Sequence, residues 1–136
     1  MFLIYATKPF KTNAHGYVEE ISFTPSLQKG IRDARQTAVG KEGLVSDVGG
    51  HIQACRLGGT CDRYNLFPQD KNFNNSAYKK WENEIKRTLK EGGVVDAVNV
   101  KFFRGNAASP RPDSLLIDYS INGKIISKSF KNEAGR

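Results

Sequence analysis

Hydrophobic and polar positions along this chain repeat with two different periods. Residues 2–6 (FLIYA) form an apolar run the length of one strand. The lysines flanking Pro9 mark an edge or an end after it, because proline cannot donate to a strand ladder. Thr12 to Gly16 is a turn cluster. From Tyr17 to Phe23 the side chains alternate, with Tyr17, Glu19, Ile21 and Phe23 against Val18, Glu20 and Ser22. That alternation predicts a strand and, with residues 2–6, an N-terminal hairpin. Pro25 to Gly43 is polar with weak periodicity, and residues 26–38 have room for a short helix. Val45–Ala54 reads as extended chain interrupted by Gly49-Gly50, Gly58 to Asp62 reverses it, and Tyr64–Pro68 is extended again. The period then changes. Ala77, Trp81, Ile85 and Leu89 recur every four residues. They predict one amphipathic helix over Asn74–Glu91, capped by Asn75 or Ser76 and stopped by Gly92-Gly93. Alternation returns in Val94–Phe103 and in Leu115–Ile121. The turn Asn122-Gly123 then leads into a return strand, Ile125–Phe130. The tail Lys131–Arg136 is polar and expected to fray. The sum is an α+β fold with a twisted antiparallel sheet and one main helix.

Length and charge sharpen this picture. A chain of 136 residues is expected to be a single domain, residues 1–136. Lys plus Arg number 21 against 14 acidic residues, a net charge of +7. Such a surplus suits a polyanion, nucleic acid first, although a basic surface with no partner has the same composition. No apolar run approaches the roughly 20 residues of a membrane span, so no membrane segment is expected. The opening MFLIYA is too short for a signal peptide and lacks a basic start; it reads as a first strand or the start of an excised fragment. Cys55 and Cys61 fit a disulfide or two free thiols equally well. A zinc site of His51, Cys55 and Cys61 lacks a fourth ligand.

The candidate chemistry lies between residues 45 and 91. His51 follows two glycines on an extended segment, and Asn74 opens the predicted helix. A hairpin packed on that helix brings the two over one cleft. An imidazole titrating near 6.5 in model peptides can take a proton from water around neutral pH. The amide oxygen of asparagine is a hard, neutral ligand suited to Mg²⁺, which keeps most of its waters. Asn74, Tyr78 and Glu82 recur every four residues beside the apolar stripe, so Glu82 is placed to hold those waters. An arginine would complete the charge neutralisation, and Arg32 and Arg35 precede the histidine. Each feature alone has a plainer meaning. A histidine after glycines is more often structural, an asparagine before a helix is a cap, the arginines are solvated charges, and His15 is a turn residue.

Together these features resemble a known family. Asp47-Val48-Gly49-Gly50-His51-Ile52-Gln53-Ala54 resembles the Gly-Gly-His-Leu-Ile-Ala form of the DNA/RNA non-specific endonuclease motif. That family belongs to the ββα-metal, or His-Me finger, nucleases. Asn65-Leu66-Phe67-Pro68-Gln69-Asp70 is similar to its Asn-Leu-x-Pro-Gln/Met-Asp segment. Asn74, Tyr78 and Glu82 are similar to its Asn-x-x-x-Trp/Tyr-x-x-x-Glu helix. Arg32-Asp33, Gln36 and Gly40 upstream, and Arg111-Pro112 with the closing hairpin downstream, extend the match.

The resemblance implies a ββα-metal finger at about 45–91 packed on the sheet. It implies His51 as general base and Asn74 as the direct protein ligand of Mg²⁺, with Mn²⁺ or another divalent ion able to substitute. Glu82 would orient the ion's waters, and Arg32 would bind phosphate. Asn65 would brace the site, and Arg35 and Tyr78 would brace it or touch substrate. The implied activity is hydrolysis of DNA, with RNA as a further substrate, without strong sequence preference. This compact form is common as the C-terminal module of bacterial polymorphic toxins. That context implies secretion or delivery within a larger toxin, action in the target-cell cytoplasm, and neutralisation by an acidic immunity protein. Two positions depart from the pattern. Gly49 stands where classical members carry arginine, and Ile52-Gln53 replaces Leu-Ile. Two rival functions remain: a non-catalytic basic nucleic-acid-binding module, and a metal-free RNase pairing His15 with His51.

Overall fold

The computed structural model describes residues 2–5, 8–27 and 35–134. Six strands make one antiparallel sheet in the order β1 (Phe2–Tyr5), β2 (Lys8–Thr12), β3 (Val18–Phe23), β6 (Val98–Phe103), β7 (Ser114–Ile121), β8 (Lys124–Lys131). Between β3 and β6 the chain departs to build α1 (Arg35–Gly40), the hairpin of β4 (Asp47–His51) and β5 (Leu66–Asp70), then α2 (Lys71–Asn75) and α3 (Ala77–Lys90). This is the expected α+β architecture, with the ββα finger set on an antiparallel sheet.

The two periods explain how the layers meet. Along β6, Val98, Val100 and Phe102 are buried while Lys101 and Phe103 are exposed; along β7, Leu115, Ile117 and Tyr119 are buried. Trp81 and Ile85 from the stripe of α3, together with Tyr78, join that same core. Trp81 meets the ring of Tyr119 edge-on at 5.9 Å between centroids. Glu84 fixes the helix against the last hairpin, accepting from Lys128 Nζ at 3.0 Å and from the Tyr119 hydroxyl at 3.3 Å.

Several boundaries differ from the sequence expectation. The N-terminal hairpin is a three-strand meander, because β2 lies between β1 and β3. Pro9 is the second residue of β2, near a strand start where proline is tolerated, and it disguised that strand as a break. The helix expected over 26–38 is observed at Arg35–Gly40, and Arg32 and Asp33 lie outside the described residues. The extended segments are shorter or shifted: β4 begins at Asp47, β5 runs Leu66–Asp70, and β6 begins at Val98. The helix expected over Asn74–Glu91 is two helices. The chain breaks at Ser76 (φ −120°, ψ −91°), which makes no side-chain capping bond. Asp70 is the effective cap, its carboxylate accepting from the Phe73 amide at 2.8 Å. Asn74 therefore lies in α2 and does not open the long helix.

Further polar ties hold the finger to the sheet. The Asp47 side chain is fully buried against Arg111, with Nε–Oδ2 at 2.6 Å and Nη2–Oδ1 at 3.3 Å. Asn132, in the tail expected to fray, is buried. Its amide donates to the carbonyls of Pro68 and Pro112 at 3.0 and 2.8 Å, and its oxygen accepts from the Asp70 amide at 2.8 Å. Among the described residues no helix is long and apolar enough to cross a membrane.

Candidate active site

The glycine pair before His51 is a packing device. A Cβ on Gly49 would stand 1.8 Å from the Gln36 carbonyl oxygen, and one on Gly50 would stand 1.9 Å from Gln69 Oε1. Gly49 therefore lets α1 lie directly on β4, an approach reinforced by Gln36 Nε2 donating to the Gly49 carbonyl at 2.8 Å. The missing arginine has a steric cause: α1 occupies the space its side chain would leave through.

Behind His51 the chain is stapled by Asn65. This fully buried residue accepts from the Gln53 amide at 2.8 Å and donates to the carbonyls of Gln53 and Thr60 at 3.0 and 2.8 Å. Asn65 thus ties the residues that follow His51 to the loop at Thr60. Tyr78 is buried too, and its hydroxyl donates to the Ile52 carbonyl at 2.7 Å. Burial, and secondarily the charge of Glu82, holds that phenol well above the usual tyrosine range, so it stays a donor. Tyr78 thus supports the residue next to His51 and is too deep to touch substrate. Four-residue spacing placed it on the correct side of the helix but could not report its depth.

His51, Asn74 and Glu82 come from β4, α2 and α3 and line one polar cleft of about 280 Å³. Arg56, Lys79, Asn75 and Gln36 share its walls. Arg35 does not; its exposed guanidinium pairs with Asp62 at 3.2 Å. Sequence reasoning missed Arg56 and Lys79. Lys79 was discoverable, since it follows Asn75 by one helical turn across the break. Arg56 sits in a 3-10 turn, Cys55–Leu57, where no period marks it. A larger cavity of about 370 Å³ lies elsewhere, walled by Phe10, Tyr64, Phe67 and Phe102. It is mostly apolar and contains no histidine.

The donor set of the cleft fits a well-hydrated divalent ion. Asn74 offers an amide oxygen and Glu82 a carboxylate. Among the described residues, no three His, Cys, Asp or Glu side chains gather as a metal cage. Few protein ligands suit Mg²⁺, which retains most of its waters, better than zinc or calcium. The zinc grouping of His51, Cys55 and Cys61 is therefore not formed, and both cysteines are buried free thiols rather than a disulfide. His15 is exposed in the turn between β2 and β3 and does not line the cleft.

Comparison with known proteins points the same way. A family model described as DNA/RNA non-specific endonuclease matches residues 11–123. The type VII secretion system protein EssD of Staphylococcus aureus (strain USA300) is 32% identical over 124 residues, covering 85% of this chain and 20% of EssD. The probable deoxyribonuclease RhsA of Dickeya dadantii (strain 3937) is 33% identical over 91 residues, 66% of this chain and 6% of RhsA. The chain thus spans a fifth or less of these relatives. NucA from Streptococcus agalactiae, solved with a magnesium ion bound, superposes with a TM-score of 0.75 at 10% identity, covering 95% of this chain and 73% of NucA. Its metal-free form gives 0.71, also at 10% identity, covering 96% and 72%. At that identity the likeness is one of fold. The matched stretch runs from β2 to the turn before β8 and encloses the whole finger, so the chain belongs to the DNA/RNA non-specific endonuclease family.

Proposed function

We propose that this chain is a single catalytic domain, a metal-dependent endonuclease that hydrolyses phosphodiester bonds in DNA, and in RNA, without strong sequence preference. The observation that carries this reading is the convergence of His51, Asn74 and Glu82 on one cleft, with two cationic side chains on its walls. His51, fixed on a strand, is the base that takes a proton from the attacking water. Asn74 would hold Mg²⁺ through its amide oxygen, with Glu82 beside it. When bound, the ion supplies positive charge against the extra negative charge that builds on the phosphate and the departing 3′-oxygen. Arg56 and Lys79 hold the non-bridging phosphate oxygens, the task that residue 49 performs in classical members; Arg32, from the segment before α1, remains a further candidate. Phosphate contacts position a nucleic acid without reading its bases, which accounts for the weak sequence preference.

The relatives support a wider context. Because the chain corresponds to a small part of EssD and of RhsA, we infer a nuclease module carried by a larger secreted or delivered toxin. It acts in the target-cell cytoplasm. An acidic immunity protein that covers the basic cleft would protect the producer.

The test is incubation of plasmid DNA and total RNA with wild type, His51→Ala and Asn74→Ala, each with Mg²⁺ and with EDTA. Wild type should cut only with the metal. His51→Ala should lose about 10²- to 10⁴-fold in rate with its circular dichroism unchanged. Asn74→Ala should cut slowly and need more Mg²⁺ or Mn²⁺; an unchanged metal titration would remove it as ligand. Cutting in EDTA would favour the metal-free RNase. Salt-sensitive binding without cutting would favour the binding module.

A further inference from the structure

His51 has a thiol at its back. Cys61 Sγ lies 3.6 Å from His51 Nε2, and both side chains are buried. The thiol is held in place by the loop that carries it. Asn65 Nδ2 donates to the carbonyl of Thr60, the residue before Cys61, and to that of Gln53. The Gly59 amide donates to the Ala54 carbonyl at 2.9 Å. Gly59 approaches Gln53 so closely that a Cβ would stand 1.8 Å from its carbonyl oxygen. On the far side, Thr60 Oγ1 donates to Asp62 Oδ2 at 2.8 Å. The fold thus clamps the residues on either side of Cys61 while presenting its sulfur to the imidazole.

A neutral imidazole has one N–H and one lone pair, and only the nitrogen with the lone pair can act as a base. We propose that Cys61 is a positioning residue for His51: its sulfur accepts a hydrogen bond from Nε2–H, which leaves the lone pair on Nδ1 to take the proton of the attacking water. This rests on the assignment of His51 as general base. The thiol keeps its own proton throughout. As the water oxygen bonds to phosphorus, its proton passes to Nδ1, the ring becomes a cation, and Nε2–H remains on the sulfur. Sulfur is a weak acceptor. Its contribution is therefore orientation and choice of tautomer, and it adds no negative charge to the buried side of the ring, as a carboxylate there would.

The chain has two histidines, so ¹⁵N-histidine labelling with His15→Gln leaves His51 alone in the spectrum. The ¹⁵N shifts at about pH 8, where an ordinary imidazole is neutral, read the tautomer without substrate or metal. Wild type should show His51 almost wholly as Nε2–H. Cys61→Ser keeps an acceptor and should keep that tautomer and most of the rate. Cys61→Val fills the space without one. It should drift toward the mixture of a free imidazole and lose about tenfold in kcat at unchanged KM, in line with the loss of other buried partners of functional histidines. A wild-type His51 protonated on Nδ1, with the thiol donating to Nε2, would overturn the proposal. So would Cys61→Val with wild-type tautomer and kcat. If Cys61→Val does not fold, the wild-type tautomer and its comparison with Cys61→Ser still decide. A wild type that cuts nothing would refute the nuclease assignment, whereas the tautomer measurement judges the His51–Cys61 pairing on its own.

Discussion

At Gly49 a hydrogen atom is all that fits between β4 and the Gln36 carbonyl. Gly49→Arg, which restores the arginine of classical relatives, should therefore cost stability and return no activity. Even Gly49→Ala overfills the contact and should destabilise by about 1–3 kcal/mol or more in urea unfolding. A stable and more active Gly49→Arg would show that α1 yields there. Among the described residues, Arg56 and Lys79 bring positive charge to the cleft. Arg56→Ala should raise KM for DNA and make binding less steep in salt by about one phosphate contact. That His51, Asn74 and Glu82 would meet in one cleft was legible because each sits at a fixed offset from a recognisable punctuation, a glycine pair or a helical turn. Arg56 was not legible, because a 3-10 turn leaves no repeat to read.

Tyr78 shows what the helix does for the strand opposite. Its hydroxyl satisfies the Ile52 carbonyl, one residue from the candidate base, so Tyr78→Phe should cost about 1–3 kcal/mol by leaving that buried carbonyl without its donor. Burial, with Glu82 second, raises the Tyr78 pKa well above 10.0, the ordinary value. A raised pKa means that the unfolded chain releases the proton first. Stability is unaffected below about pH 10 and falls as pH climbs from there toward the folded-state value. Tyr119 is raised as well, by burial and then Glu84, and adds to the same alkaline loss. Denaturant midpoints measured across that range should fall for wild type and fall less for Tyr78→Phe; equal slopes would remove Tyr78 as a contributor. The alternation of β6 and β7 and the four-residue stripe of α3 could be read from side-chain character alone. The break at Ser76 is a matter of backbone torsion, and its sign in the sequence was Asp70, six residues earlier, capping a helix that ends before the stripe begins.

In the whole molecule, the finger and the sheet are separate ladders joined in part by polar contacts, and the Asp47–Arg111 pair among them is buried. Arg111→Ala would leave the Asp47 carboxylate out of water and without its cation, a loss of about 3–5 kcal/mol, while replacing both partners with apolar residues should cost much less. Urea unfolding of the two variants makes the comparison, and equal losses would mean that the pair itself, and not the stranded charge, sets the cost. Neither this tie nor Asn132 was visible in the sequence, because both join residues far apart in the chain. The same architecture orders events in time. Strands β2 and β3, and β7 and β8, meet across short turns, but β3 finds β6 only after the whole stretch 24–97 has been looped out between them. Closing a long loop costs entropy before its contacts repay it, and such pairings are the slow ones. A refolding chain would regain its local hairpins first and close the seam between β3 and β6 last. The finger, which carries the candidate site, would gain its footing on the completed sheet only when that seam closes.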